Sequence, residues 1–210
     1  MSLNKGIIII GYSGHAYVVC DICHSMNRQV VGYCEAEKKT FNPYHLTFLG
    51  SEMSEEGLQA LQSNDYFIAI GNNKIRYKIQ TNLLQKGINH LSTNVIHSSA
   101  VVSPKVQLEQ GIMIAQNTVI NSFAKIGEGV ICNTSSVIEH EVKIGKYSFV
   151  GPNVTLLGAV EVGDLSFIGA NSVIKQGVKI GNNVTVGAGT VVIRDIPDNQ
   201  TVVGNPQRVI

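Results

Sequence analysis

Three ionisable side chains in a row, Glu139, His140 and Glu141, interrupt the stretch SSVIEHEVKIG, which otherwise alternates apolar residues with small and polar ones. Imidazole is the side chain whose ordinary pKa lies nearest working pH, so it can take a proton from a nucleophile and hand it on. The adjacent carboxylate of Glu141 can accept a hydrogen bond from the second ring nitrogen, fix the tautomer and raise the basicity of the imidazole. Taken alone, a His-Glu pair is more often a solvated surface pair. The architecture that presents it decides.

A second group of candidates lies near the start. KGIIIIGYSGHAYVVCDICHSM has the pattern of a buried strand, a glycine turn and an amphipathic helix. Gly11, Ser13 and Gly14 make G-x-S-G, which lacks the third glycine of a dinucleotide fingerprint and argues against a dehydrogenase. A phosphate or sugar held against backbone N–H groups and the helix N-terminus after Gly14 needs less, and a plain tight turn needs less still. QVVGYCE makes a second strand ending at Glu35, whose carboxylate can accept hydrogen bonds from ribose hydroxyls or a base edge, as can any exposed loop carboxylate. DYFIAIGNN makes a third, followed by the helical KIRYKIQTNLLQKG. Asn72 and Asn73 then lie just past the strand, where asparagine also caps helices, with Arg76 one turn further on. Alternating strands and helices predict a small parallel α/β sheet with ligands at the carboxyl ends of its strands.

The second half is organised by a period. From Val102, every sixth residue to Val192 is apolar, Cys132 included, and Gly127, Gly145, Gly163 and Gly181 fall eighteen apart. A strict period of six suits neither a helix at 3.6 nor an isolated strand at 2, but fits short strands joined by turns around a triangular core. Three hexads make one coil of about 18 residues, and coils stack at about 4.8 Å. In this register His140, two residues after the inward Ile138, falls at or near a corner of the prism and points outward. Gly158, eighteen residues on, lies one coil above it, where a backbone N–H unobstructed by a side chain can bind a carbonyl oxygen.

Other signals exclude more than they assign. Sixteen basic and fifteen acidic side chains give a charge of +1. With no polybasic run, neither nucleic acid nor a membrane is an expected partner. IIII at Ile7 to Ile10 is too short for a membrane span and lacks signal-peptide flanks, so a cytoplasmic location is expected. Cys20 and Cys23 share one helix face with no second Cys or His pair, so they are expected in the core and no metal is expected.

The hexapeptide pattern closely resembles the left-handed parallel β-helix of the hexapeptide-repeat acyltransferases, over about Ile96 to Ile193. That resemblance implies a homotrimer with acyl-CoA sites in the clefts between prisms. The order G-x-S-G-H, A-I-G-N-N-x-I-R, N-T-S-S-V-I-E-H-E, then β-helix, is similar across the whole chain to the nucleotide-sugar N-acetyltransferases of the bacillosamine-pathway type, within the sialic-acid O-acetyltransferase-like group. Expected domains are therefore residues 1–92, Rossmann-like and nucleotide-sugar-binding, and 93–210, the β-helix with a tail over CoA. The implied reaction is acetyl transfer from acetyl-CoA to the 4-amino group of a nucleotide-linked 4-amino-4,6-dideoxy sugar in bacterial surface glycan or glycoprotein biosynthesis. His140 would act as base, Glu141 would orient it, and Gly158 N–H would bind the acetyl carbonyl. Asn133 would lie near the sugar amine, while Ser13, Gly14, His15, Glu35, Asn72, Asn73 and Arg76 would hold the nucleotide sugar. Asn205 and Pro206, in VVGNPQRVI, would close over the adenine end of CoA. Phe149 stands where the family often has a second histidine, Ala36 where a second acidic residue is common, and Gln207 where alanine follows the proline. These departures bear on contact with CoA or the acceptor, on the nucleotide base, and on the lid. The alternatives are O-acetylation of a sialic-acid-type sugar and a non-catalytic trimeric scaffold.

Overall fold

The computed structural model describes residues 5–210. Ile7–Ile10 forms β1, with all four residues buried. It pairs in parallel with β2 (Val30–Cys34) on one side and β4 (Asp65–Ile68) on the other, and β3 (Thr47–Phe48) extends the edge beside β2. The order β3-β2-β1-β4 is flanked by α1 (Gly14–Ser25), α2 (Glu55–Ser63) and α3 (Asn73–Gln85). α1 buries Ala16, Val19, Cys20, Ile22 and Cys23, the spacing of one helix face. The strands expected in QVVGYCE and DYFIAIGNN are present, while β3 and α2 are additions. A two-residue edge strand carries no readable periodicity, and α2 buries only Gly57 and Leu61. Because the chain leaves β1 toward β2 but returns on its other side as β4, the switch point of the sheet lies at the carboxyl ends of β1 and β4, where such folds place a ligand crevice.

From Val95–Ile96 (β5) to Val191–Val192 (β21), two-residue strands recur every six residues. Each pairs in parallel with the strand eighteen residues away, as Lys125↔Lys143, Ile131↔Phe149 and Val137↔Thr155 illustrate. The result is a three-faced prism. β5, β8, β11, β14, β17 and β20 form the first face, β6 to β21 by threes the second, and β7 to β19 by threes the third. Inward residues from Ile114 to Val192 make one continuous core at 5% exposure or less, and Val102 and Leu108 close its open lower end half-buried. Cys132 is fully covered among them. The tail turns back as β22 (Thr201–Val203) and β23 (Arg208–Val209) over the last coil.

The outward residues differ face by face. The first face carries Val95, Met113, Ile131 and Phe149, which merge with α1 residues into the cluster that joins the two parts of the molecule. The second carries Val101, Val119, Val137, Thr155, Val173 and Val191 with no cover in this chain. On the third, Lys143 and Lys179 flank Glu161 at 2.9 and 3.7 Å, a solvated ladder of ion pairs.

Candidate active site

His140 lies in the turn between β12 (Val137–Ile138) and β13 (Lys143–Ile144), at the corner between the second and third faces. Ile138, fully buried, anchors the turn below it, and Glu141 adopts a left-handed conformation (φ +62°) that closes it. A non-glycine residue tolerates that conformation at some cost, so the prism imposes it. Glu141 Oε2 lies 3.1 Å from His140 Nδ1, so in the neutral ring the carboxylate accepts the Nδ1 proton and Nε2 keeps its lone pair. The third member of the acidic trio has a different partner: Glu139 accepts from the Asn121 amide at 3.0 Å.

Gly158 lies directly over the imidazole. A Cβ built there would come within 2.7 Å of Nε2 and 2.6 Å of Cε1. Its N–H has no acceptor among the described residues. At the equivalent turn position of the neighbouring corner, the N–H groups of Lys146, Asp164 and Asn182 are each capped by a side chain of the next coil. His140, Glu141 and Gly158 thus form a base, an orienting carboxylate and an open amide donor around one point. Exposed Phe123 and Leu157 lie beside it in the same corner, apolar groups that sequence analysis missed and that the eighteen-residue register marks.

At the crevice, Ser13 is the N-cap of α1 yet makes no side-chain cap bond, and Gly14 has open space where a Cβ would stand. His15 Nε2 is buried without a partner. Burial first, and then the positive charge of Arg76, push its pKa down to about 4, so the ring is neutral in neutral solution. Glu35 sits just past β2, as expected. Partial burial works against its carboxylate, but hydrogen bonds from the Tyr12 and Ala36 N–H groups and the nearby Lys39 outweigh that and hold its pKa below the ordinary value. Asn72 caps α3, accepting from Ile75 N–H at 3.1 Å.

Three of the expected site residues are engaged within the chain itself. Arg76 is 2% exposed, and Asn73 is buried beside it. Their polar atoms are committed to carbonyls of the prism and of the crevice loop, which leaves no guanidinium N–H for a nucleotide sugar. Phe149 lies away from the His140 corner in this chain: its ring stacks on Phe167 at 4.9 Å and is buried in the cluster under α1, on a different face from His140. The sequence signal was its outward position on a face whose other outward residues are apolar.

Asn133 lies at the other edge of the second face, where its Oδ1 accepts the Thr134 N–H at 2.8 Å. A single chain therefore does not bring it to His140. Asn205 and Pro206 are exposed at the tip of the tail. Gln207 anchors that tip, accepting from Ile193 N–H and donating to Arg194 carbonyl, both at 2.9 Å.

Stacked hexapeptide coils with a corner histidine, and an α/β domain presenting a crevice, define an acyltransferase of the hexapeptide-repeat class. Residues 6–83 match the model of the PglD N-terminal domain, and residues 159–194 that of the bacterial transferase hexapeptide (six repeats). Similar throughout is perosamine N-acetyltransferase from Caulobacter crescentus, solved with CoA and GDP-perosamine, at 33% identity and TM-score 0.90 over 99% of this chain and 98% of that one. The acetyltransferase domain of PglB from Neisseria gonorrhoeae, solved with acetyl coenzyme A, aligns at 27% identity and TM-score 0.91 over 99% and 100%. WeeI from Acinetobacter baumannii aligns at 25% and 0.82 over 98% and 99%. The chain belongs to the family of nucleotide-amino-sugar N-acetyltransferases.

Proposed function

We propose that this protein transfers the acetyl group of acetyl-CoA to the 4-amino group of a nucleotide-linked 4-amino-4,6-dideoxy sugar in the cytoplasm, for a surface glycan or glycoprotein. The observation that carries this reading is the His140–Glu141 pair at 3.1 Å beneath the open N–H of Gly158. His140 Nε2 accepts a proton as the sugar nitrogen attacks the thioester carbonyl, and the resulting oxyanion is received by Gly158 N–H. Collapse breaks the C–S bond, and the proton held by His140 passes to the departing sulfur, leaving the amide and free CoA. Glu141 keeps the imidazole in the required tautomer. The relatives solved with CoA, acetyl-CoA and GDP-perosamine support these two substrates.

Ser13 leaves its side chain without a cap bond, His15 Nε2 is buried without a partner, and Glu35 and Asn72 follow β2 and β4; we assign these residues and Gly14 to the nucleotide sugar. No covalent intermediate is needed. Burial pushes the thiols of Cys20, Cys23, Cys34 and Cys132 up to about 12, so none supplies a thiolate near neutral pH.

The assembly follows from the second face. Its outward column, five valines and Thr155, is exposed or half-exposed, and we assign it to neighbours in a homotrimer. Each neighbour then closes the His140 corner, brings its own Asn133 edge alongside, and forms the CoA cleft whose upper end the Asn205–Pro206 tip covers.

The deciding experiment is thiol release from acetyl-CoA with a panel of UDP-, dTDP- and GDP-linked 4-amino sugars and free sialic acid, comparing wild type with His140→Ala. Turnover of one amino sugar, lost in the variant, is expected. Turnover of a hydroxyl acceptor alone would make the protein an O-acetyltransferase instead.

A further inference from the structure

Beside the apolar cluster under α1, two side chains of α3 fasten the N-terminal domain to the prism through hydrogen bonds. Arg76 Nε and Nη2 donate to the carbonyl of Gly129 at 3.3 and 3.2 Å, and Nη2 also donates to Tyr147 carbonyl at 3.0 Å and to Asn73 Oδ1 at 3.1 Å. Asn73 Nδ2 donates to the carbonyls of Leu165 and Ser166, each at 3.1 Å. Gly129, Tyr147 and Leu165 occupy the same turn position in successive coils, at the corner between the third and first faces. Each has a positive φ, of 66°, 55° and 58°, which turns its carbonyl out of the ladder. The carbonyls just before Gly129, Tyr147 and Leu165, on Glu128, Lys146 and Asp164, accept from the next coil instead. Arg76 and Asn73 thus satisfy a column of carbonyls that the prism itself leaves open.

The other end of the same guanidinium reaches the crevice. Nη1 donates to the carbonyls of Ile70 and Gly71 at 3.0 and 2.9 Å, in the loop after β4. The Ile70 side chain packs against Gly11, where an added Cβ would meet it at 2.7 Å. One buried cation with only neutral acceptors therefore ties the nucleotide-sugar crevice to the coils that hold His140 and Gly158. Holding two domains together in this way is costly, because a charge is desolvated without a counter-charge. What the rigid fork of five N–H donors provides is geometry.

We propose that Arg76 and Asn73 are positioning residues for acetyl transfer, fixing the height and angle of the nucleotide-sugar crevice relative to His140 and Gly158. This rests on the acetyl-transfer reading above. The open carbonyl column repeats with every coil, so displacement by one coil moves the sugar by about 4.8 Å, whereas a misplacement of about 1 Å already costs on the order of 100-fold in rate.

The test uses the full chain with Arg76→Gln, Arg76→Lys and Asn73→Ala. Asn73→Ala removes only two hydrogen bonds between the domains and no charge, so it stays informative if Arg76→Gln does not fold. Two readouts are taken: steady-state kinetics, and the distance distribution between spin labels placed at the exposed positions of Lys78 and Lys125, diluted with unlabelled chains. For Arg76→Gln we expect kcat with the nucleotide amino sugar to fall about 10-fold or more, KM for acetyl-CoA to stay within about twofold, and the distance distribution to broaden. Arg76→Lys should recover part of kcat, and Asn73→Ala should fall between. Wild-type kcat and an unbroadened distribution in Asn73→Ala and in any folded Arg76→Gln would overturn the proposal. If the wild type acetylates no amino sugar, the acetyl-transfer reading falls on its own. The distance distribution then decides the clamp: broadened supports it, unchanged overturns it.

Discussion

The division of labour among the three consecutive ionisable residues follows from what each touches. Glu139 is held by Asn121, Glu141 by His140, and His140 leaves Nε2 beside Gly158. Removing the base with His140→Ala should lower kcat by about 100-fold or more with CoA binding retained, while Glu141→Gln, which keeps shape but weakens the tautomer bias, should cost about 10-fold. An equal loss in both would argue that the pair acts as one unit; no loss in either would remove the site. His15 allows a prediction about stability. Its pKa in the fold is about 4, against an ordinary 6.5. Between those values the unfolded chain binds a proton that the folded chain does not, so stability falls as pH falls through that window. His15→Gln lacks this linkage, so its melting temperature should drop less than that of the wild type between about pH 6.5 and about pH 4. Parallel melting curves would contradict the burial assigned to the ring.

Among the elements, the coil is the unit that brings Gly158 to His140. The two are eighteen residues apart in sequence and in contact in space, because parallel strands stack in register. A methyl group on Gly158 would meet the imidazole at under 3 Å and push it out of line. Gly158→Ala should therefore lower kcat about 10-fold or more while leaving the melting temperature nearly unchanged, since Gly158 is buried but the added methyl meets only the half-exposed imidazole, which can swing aside. A loss of stability without loss of kcat would assign the glycine to the turn alone. The same register explains the correction at Phe149, whose column also holds Val95, Met113 and Ile131. Inward positions report the core; outward ones report what covers each face.

For the whole molecule, three outward columns describe three fates. The lower coils of the first face are covered by α1, the third is a ladder of lysines and a glutamate in water, and the second is five valines and a threonine, exposed or half-exposed. Val137→Asp places a charge in the middle of the second face, next to Ile138 and three residues before His140. For the trimer proposed above, we expect it to reduce the particle mass in light scattering from three times 22.6 kDa toward one and to abolish turnover, because the proposed cleft would lose its second wall. A variant that stays trimeric would move the subunit interface to another face. No helix among the described residues is long and apolar enough to cross a membrane.

The sequence alone determined the prism, its inward residues and the columns that stack, because a period of six leaves one way to bury every sixth side chain. It also placed His140 at a corner, gave Glu141 as its neighbour and set Gly158 one coil above. The tertiary structure decided what Arg76 and Asn73 do. A strand-to-helix motif at the carboxyl end of a strand carries the same letters whether its polar atoms face a ligand or a neighbouring domain. Only the meeting of α3 with a corner of open carbonyls, some 53 to 93 residues away in the chain, turns them inward. Local pattern sets periodic elements because their hydrogen bonds and burial repeat with sequence; it is silent on contacts between domains, whose partners share no spacing.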